Sequence, residues 1–454
     1  MIQPKKVNIF YIDANNLYGL AMQQKLSIGN YKWENTSLFT EKYINNINEN
    51  GQSGYILEVD LEYPQSLHEY HNSYPLCPER KLIKTEMLSK FQLNLKEKLN
   101  ISNDHVEKLI CDLTDKKHYM VHYKNLQLYL QLGMKLKCVH RVLSYNQHEW
   151  LKDYIVGNSI LRADAKKRKD AFSANLYKIK NNSVFGKQME NVRNRVDIVL
   201  IKHKIKDDES YSGLNKYLKL CSHPTYKRTT IFNENLVAVH RNKKYITLDK
   251  PIINGMIILE LSKYLMYNFY YNVMKKRYGD KIKLLFTDTD SLCVEIETDD
   301  VYKDMEEQKE YYDFSEYPKE HFLYSTENQA VVGKFKDEME GKIITEFVGL
   351  RSKLYSLTIQ DELKQKKVAK GLKKCVIDKK LKFDDYKNVL ENKTEKKENM
   401  NFIKSKKHNV NTIKVNKICI SCFDNKKYLL NDGITSYAYG HYKIKEYEKI
   451  NINV

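Results

Sequence analysis

The sequence predicts an α+β fold built on antiparallel strands, and three stretches carry that prediction. Leu284 to Glu297 sets a short polar centre, Asp288-Thr289-Asp290-Ser291, between two apolar runs, the pattern of a β-hairpin. Val7 to Ile12 is a compact, β-prone apolar run of the kind buried on both faces of a sheet, and it ends at Asp13. Gln147 to Met189 and Asn254 to Lys276 follow helical periodicity, the first with a break near Lys169.

The chain has 454 residues, enough for two or three domains with their own cores. A net charge of +19 beside 35 Tyr and 15 Phe points to a polyanionic partner, nucleic acid first, although a lysine-rich coding bias gives the same composition. No apolar run is long enough to span a bilayer, and the start enters a strand directly instead of forming a secretory signal. An intracellular protein, nuclear or cytoplasmic, with no membrane partner is therefore expected. Of the scattered cysteines only Cys419 and Cys422 form a CxxC, which reads better as two incidental thiols on a strand than as a zinc or redox site.

Taken in order, Val7 to Ile12 delivers Asp13 to a strand end. Ala14-Asn15-Asn16 turns the chain, and Leu17 to Met22 reads as a short helix carrying Tyr18. By itself Asp13 reads equally as a helix cap. Gly54 to Tyr63 alternates as a half-exposed strand, with Asp60 and Glu62 on its polar face instead of forming a nuclease pair. Tyr74 to Arg80 is a proline-punctuated linker, Lys81 to Leu99 has helical periodicity, and Val121 to Leu143 reads as a helix or a hairpin. The helical stretch from Gln147 carries Arg162, Lys166, Lys167 and Arg168, then K-x-x-x-N-S-x-F-G from Lys178 to Gly186. Lys178, Asn182 and Phe185 share one helical face, offering a cation for a triphosphate, an amide and a flat ring, and Gly186 permits close approach. A solvated basic helix with one buried Phe fits the same residues.

Asn191 to Arg195 and Lys202 to Lys219 are basic and weakly patterned, and Val237 to Leu248 suggests strands. Asn254 to Lys276, rich in Tyr and Met, reads as core. At the hairpin tip Asp288 and Asp290 repel unless a cation sits between them, for which Mg²⁺ is the natural candidate. An ordinary polar turn also fits. Asp299 to Tyr317 is acidic and loop-like. Lys334 to Tyr355 suggests strands, with Lys353 and Tyr355 pointing the same way as a grip for a nucleic-acid backbone or as a surface lysine beside a packed ring. Lys364 to Lys374 is lysine-dense, Lys393 to Lys407 is a charged connector, and Asn411 to Tyr442 returns to strands and a turn.

Asp13 with Tyr18, the Lys178–Gly186 motif and Asp288-Thr289-Asp290-Ser291 resemble, in that order, the A, B and C motifs of family B DNA polymerases. The phrases NNSVFGKQMENVRNRVDI, KYLMYNFYYNVMKKRYGDKIKLLFTDTDSL and KDEMEGKIITEFVGLRSKLYS resemble the protein-primed branch of transposons, viruses and linear plasmids. The resemblance covers nearly the whole chain. It implies a right-hand polymerase fold, with palm at 1–75 and 256–360, fingers at 147–190 and a thumb and C-terminal region at 361–454. Residues 76–146 would be an insertion resembling the priming-protein-binding region, and 191–255 a second, processivity-like insertion. It implies that Asp13 and Asp290 bridge two Mg²⁺ ions (Mn²⁺ as a substitute), with the Ala14 carbonyl as a further ligand and Asp288 in support. Tyr18 would exclude a 2′-hydroxyl. Lys178 and Arg162 would meet the incoming dNTP, and Asn182, Phe185 and Gly186 the nascent base pair. Lys353, Tyr355, Arg193 and Arg195 would contact DNA. The expected partners are a DNA template-primer, dNTPs and a terminal priming protein, with the chain itself a monomer.

This sequence departs from the pattern in places. Asn16-Leu17-Tyr18-Gly19 stands where Ser-Leu-Tyr-Pro is usual, Phe185 replaces the commoner Tyr, and Ser352 stands where Pro is frequent. Only 12 residues precede Asp13, so no 3′–5′ exonuclease and no proofreading are expected from this chain. A catalytically inactive, nucleic-acid-binding remnant of a mobile-element polymerase is the alternative reading. RNA synthesis is disfavoured by the Tyr18 gate.

Overall fold

A computed structural model of the chain describes residues 7–102, 106–202, 204–205, 211–360, 365–406 and 409–452. Among the described residues the fold is α+β, its sheets built mainly of antiparallel pairs, with Tyr312–Asp313 running parallel to Phe335–Asp337. Two compact units form: the first from the described parts of Met1–Phe185, Ile253–Lys396 and Ile418–Val454, the second from those of Gly186–Ile252 and Lys397–Lys417. Among the described residues no helix is long and apolar enough to cross a membrane.

The strand Val7–Ala14 lies inside the principal sheet of the first unit. The order across that sheet is Ile282–Asp288, Ser291–Glu297, Val7–Ala14, Ile344–Arg351, Leu354–Ile359, Lys366–Ala369. Phe335–Asp337 pairs with the last residues of Val7–Ala14. Apolar clusters pack against both faces of this strand, as its unbroken apolar run requires. Phe10 and Ile12 enter the core formed by Tyr267, Tyr270 and Tyr271, while Tyr11 faces a second cluster with Met339 and Leu357. Those three tyrosines come from a helix, Ile252–Asn268, that continues through a π-helical stretch, Phe269–Lys275. The Tyr- and Met-rich segment is core, as its composition indicates.

A second, four-stranded sheet runs Leu26–Trp33, Lys135–His148, Ser53–Glu62, Lys116–His122. Ser53–Glu62 therefore has a neighbour on each side and is mostly buried, not half-exposed. Asp60 is buried beneath polar partners and does not lie on a solvated face. Other elements also differ from their sequence patterns. The helix in the 81–99 stretch is only Lys90–Lys98, started by a Ser89–Gln92 capping box, because Glu79–Lys81 pairs as a strand with Lys108–Ile110. Val121 to Leu143 is neither helix nor hairpin alone: a helix, Tyr123–Gln131, joins two strands. The acidic stretch after the hairpin holds a helix, Val301–Glu307, whose Asp300 side chain accepts from two backbone N–H groups. The charged connector contains a long strand, Glu395–Lys406, paired with Asn409–Ser421. Alternation of lysine with polar residues hides such a strand from hydrophobic periodicity. Parts of the basic stretches of the sequence, at 203, 206–210, 361–364 and 407–408, lie outside the described residues.

The second unit contains a three-stranded sheet ordered Tyr226–Asn233, Leu236–Asn242, Val196–Lys202. A helix, Leu214–Cys221, meets it through Tyr217 and Cys221 at Thr229.

Two imidazoles of the first unit are buried with tyrosine partners: His71 Nδ1 lies 2.8 Å from the Tyr63 hydroxyl, and His122 Nε2 lies 3.0 Å from that of Tyr145. Burial pushes each down to about 3. The unfolded chain protonates them below about pH 6.5 while the folded chain does not, so stability falls as pH drops from 6.5 toward 3. Each should cost about 1.4 kcal/mol per pH unit below 6. Denaturant melts at pH 7, 6 and 5 should show that loss, and His122→Asn should flatten its slope by about one imidazole's share. An unchanged slope would contradict the burial effect.

Candidate active site

The sheet places the two aspartates that the sequence singles out side by side. Asp13 pairs in register with Ser291, next to Asp290 at the hairpin tip. The Ala14 N–H donates to the Asp290 carbonyl at 2.7 Å. The tip is a tight γ-turn: the Asp290 N–H donates to the Asp288 carbonyl at 2.7 Å, with Thr289 at φ +61°. Positive φ at a β-branched residue is a strained conformation, and such strain gathers where a side chain must be aimed.

The electrostatics follow from that placement. Burial first, then the charge of Asp290, pushes Asp13 up to about 7, although Lys336 stands 3.8 Å away. Burial and then Asp288 raise Asp290 as well. Asp288 is engaged differently, by Lys353 at 2.8 Å. Lys336 is shared with Glu338 at 2.7 Å, and Glu338 also meets Lys366 at 3.3 Å. Both carboxylates are half-buried, and desolvation together with their neighbours' negative charge favours their protonated forms. Hard oxygen donors so arranged suit Mg²⁺ or Mn²⁺. Asp13 and Asp290 would hold such ions, and Asp288, already paired, would support them.

The helix Leu17–Met22 begins at Asn16, which adopts φ +48° and accepts from the Gly19 N–H at 3.2 Å. A Cβ at Gly19 would lie 2.2 Å from the Asn16 amide, so a larger residue there would push Asn16 out of its cap. The cap sets Tyr18, whose ring stacks on that of Phe185 with centroids 4.4 Å apart and planes 13° from parallel. Burial raises the Tyr18 hydroxyl, and the charge of Asp290 adds to it. Phe185 belongs to the helix Ala171–Gln188, which follows Lys152–Lys167 after a break at Lys169, where φ is +58°. Lys178 and Asn182 are exposed on that helix, and Lys178 is among the charges that draw Asp13 downward. Asn181, next to Asn182, turns inward and donates to Ser159 at 3.3 Å.

The remaining residues are placed less simply. Arg162 is half-buried, its Nε has no partner among the described residues, and burial lowers it while Glu316 opposes that shift. Gly186 opens the second unit with open space at its Cβ position. Arg193 is exposed in that unit, and Arg195 is bound by both oxygens of Glu190 at 3.0 and 2.8 Å. Lys353 is not in a strand: it sits at φ +58° in the two-residue loop between Arg351 and Leu354, and from there reaches Asp288. Tyr355 is only 6% exposed and stacks on Phe286 at 4.2 Å, beneath the sheet surface. Sequence reasoning missed Thr289, Lys336 and Glu338. Only the pairing of Asp13 with Lys336 across strands reveals the latter two, and no local pattern marks them.

Comparison of the chain with protein-family models, curated proteins and solved structures finds no match.

The folded chain binds the Asp13 proton more tightly than the unfolded chain, whose ordinary value is 3.8. That contribution to stability is complete below about pH 4 and is lost as pH rises to about 7. Asp13→Asn removes the charge. In chelator it should raise unfolding free energy by on the order of 2 kcal/mol above pH 7 and by nearly nothing at pH 4. Urea melts of both chains at pH 4.5 and pH 8 check this; equal differences at the two pH values would contradict it.

Proposed function

We propose that this chain is a DNA-directed DNA polymerase of the right-hand, protein-primed family B type, extending a primer with dNTPs. One observation carries the reading: three sequence-distant motifs meet, with Asp13 beside the Asp290 tip and Tyr18 stacked on Phe185. Bound Mg²⁺ would supply charge neutralisation at the attacking and leaving oxygens and lower the pKa of the primer hydroxyl. The chain's own residues do the rest. Asp13 and Asp290 hold charge where the triphosphate arrives. The Tyr18–Phe185 pair forms a flat platform for a base pair, with the Tyr18 edge set against a 2′-hydroxyl. Lys178 and Arg162 offer cations to phosphate, and Asn182 offers an amide. Lys353 is poised between Asp288 and a primer backbone, and buried Tyr355 supports the sheet beneath it. The exposed Arg193 suits a phosphate contact, whereas Arg195 must first leave Glu190. The net charge of +19 supports a nucleic-acid partner.

Primer extension on a DNA template, with Mg²⁺ and labelled dNTPs, tests the reading. Activity should appear with the unmodified chain and fall at least about a thousand-fold in Asp290→Asn. Extension that persists in that variant would refute it. Tyr18→Ala should narrow the preference for dNTPs over NTPs at least about tenfold while leaving Mg²⁺ dependence intact; competition between the two nucleotide classes in one reaction measures the ratio.

A further inference from the structure

A second cluster of metal-ligating groups lies in the four-stranded sheet, apart from Asp13 and Asp290. Its centre is Asp60 on the middle strand, Ser53–Glu62. Both flanking strands are irregular beside it. Against Lys116–His122 the register shifts between Val59 and Leu61, and His118 there adopts φ +51°. Against Lys135–His148 it shifts between Glu58 and Val59, leaving His140 as the extra residue between Arg141 and Val139. Bulges re-aim side chains, and two at the same level converge on one carboxylate. The His118 N–H donates to Asp60 Oδ1 at 2.8 Å, and His140 Nε2 lies 2.9 Å from the same oxygen. The two rings stack with centroids 4.0 Å apart. One ligand atom from each of Asp60, His118 and His140 lies within 4.8 Å of the other two.

We propose that Asp60, His118 and His140 form a binding site for one Zn²⁺-class transition-metal ion, which pins three neighbouring strands together. Two imidazoles and a carboxylate suit Zn²⁺ better than Mg²⁺, and three protein ligands leave a fourth position for water. The surroundings fit. Glu58 sits 2.9 Å from His118 Nδ1 and pairs with Arg141, the kind of carboxylate that orients a ligating ring. Lys117 reaches Asp60 Oδ2 at 3.3 Å, but its side chain is 71% exposed and can swing into solvent. The site stands independently of the polymerase reading.

The test uses the full chain, stripped of metal, exposed to Zn²⁺ in excess Mg²⁺ and desalted. Elemental analysis should find about one Zn²⁺ per chain, in the unmodified protein and equally in Asp290→Asn, and almost none in the His118→Gln/His140→Gln double variant. The thermal midpoint should rise with Zn²⁺ in the first two only. An unmodified chain that retains no Zn²⁺, or a folded double variant that retains as much, overturns the proposal. Should the double variant not fold, Co²⁺ on the unmodified chain decides: intense visible bands of a four-coordinate ion support the site, and weak six-coordinate bands contradict it.

Discussion

The hydrogen bond from the Ala14 N–H to the Asp290 carbonyl is the contact on which the candidate active site depends. It joins two strands far apart in sequence and fixes Asp13 beside the hairpin tip. Two carboxylates held together repel, so something must hold them. Buried apolar residues of Val7–Ala14 and of its partner strand Ser291–Glu297 do so. Phe10, Ile12, Leu292 and Val294 are all buried, each worth about 1.5–3 kcal/mol. A one-residue slip would exchange the residues on the two faces and break both clusters, so this packing favours the register that keeps the carboxylates together.

The surrounding lysines compensate this repulsion only in part. Lys336 is divided between Asp13 and Glu338, and Lys353 serves Asp288. Burial, then the neighbouring carboxylates, keeps the proton affinities of Asp13 and Asp290 raised despite Lys336. On the proposed reading a divalent cation would bind at this junction, and its affinity should fall as protons compete below about pH 7. Strain at Thr289 belongs to the same design, because the tight turn brings the Asp290 carbonyl to the Ala14 N–H. Lys336 keeps the unliganded pair tolerable without neutralising it.

Much of this is legible in the sequence, for particular reasons. The strand ending at Asp13, the helix Leu17–Met22 and the hairpin are short apolar runs with polar punctuation, so period and breaker agree. The break at Lys169 is marked by a run of basic and acidic residues, and it holds at φ +58°. Where tertiary pairing decides, the sequence misleads. Glu395–Lys406 is a strand because Asn409–Ser421 lies beside it, although its lysines show no apolar alternation. Lys353 reads as a strand residue, yet it occupies a two-residue loop, and that position brings its charge to Asp288. Asp60 reads as solvated polar surface, and only the bulges at His118 and His140 show why it is buried.

The central claim is that Asp13 and Asp290 share divalent cations. Electron paramagnetic resonance of Mn²⁺ bound to the full chain, with template-primer and a non-hydrolysable dNTP, tests it most directly. A spin-coupled pair of Mn²⁺ ions should appear and should vanish in Asp13→Asn. A signal from isolated Mn²⁺ alone, or a coupled pair that survives that substitution, would contradict a shared site.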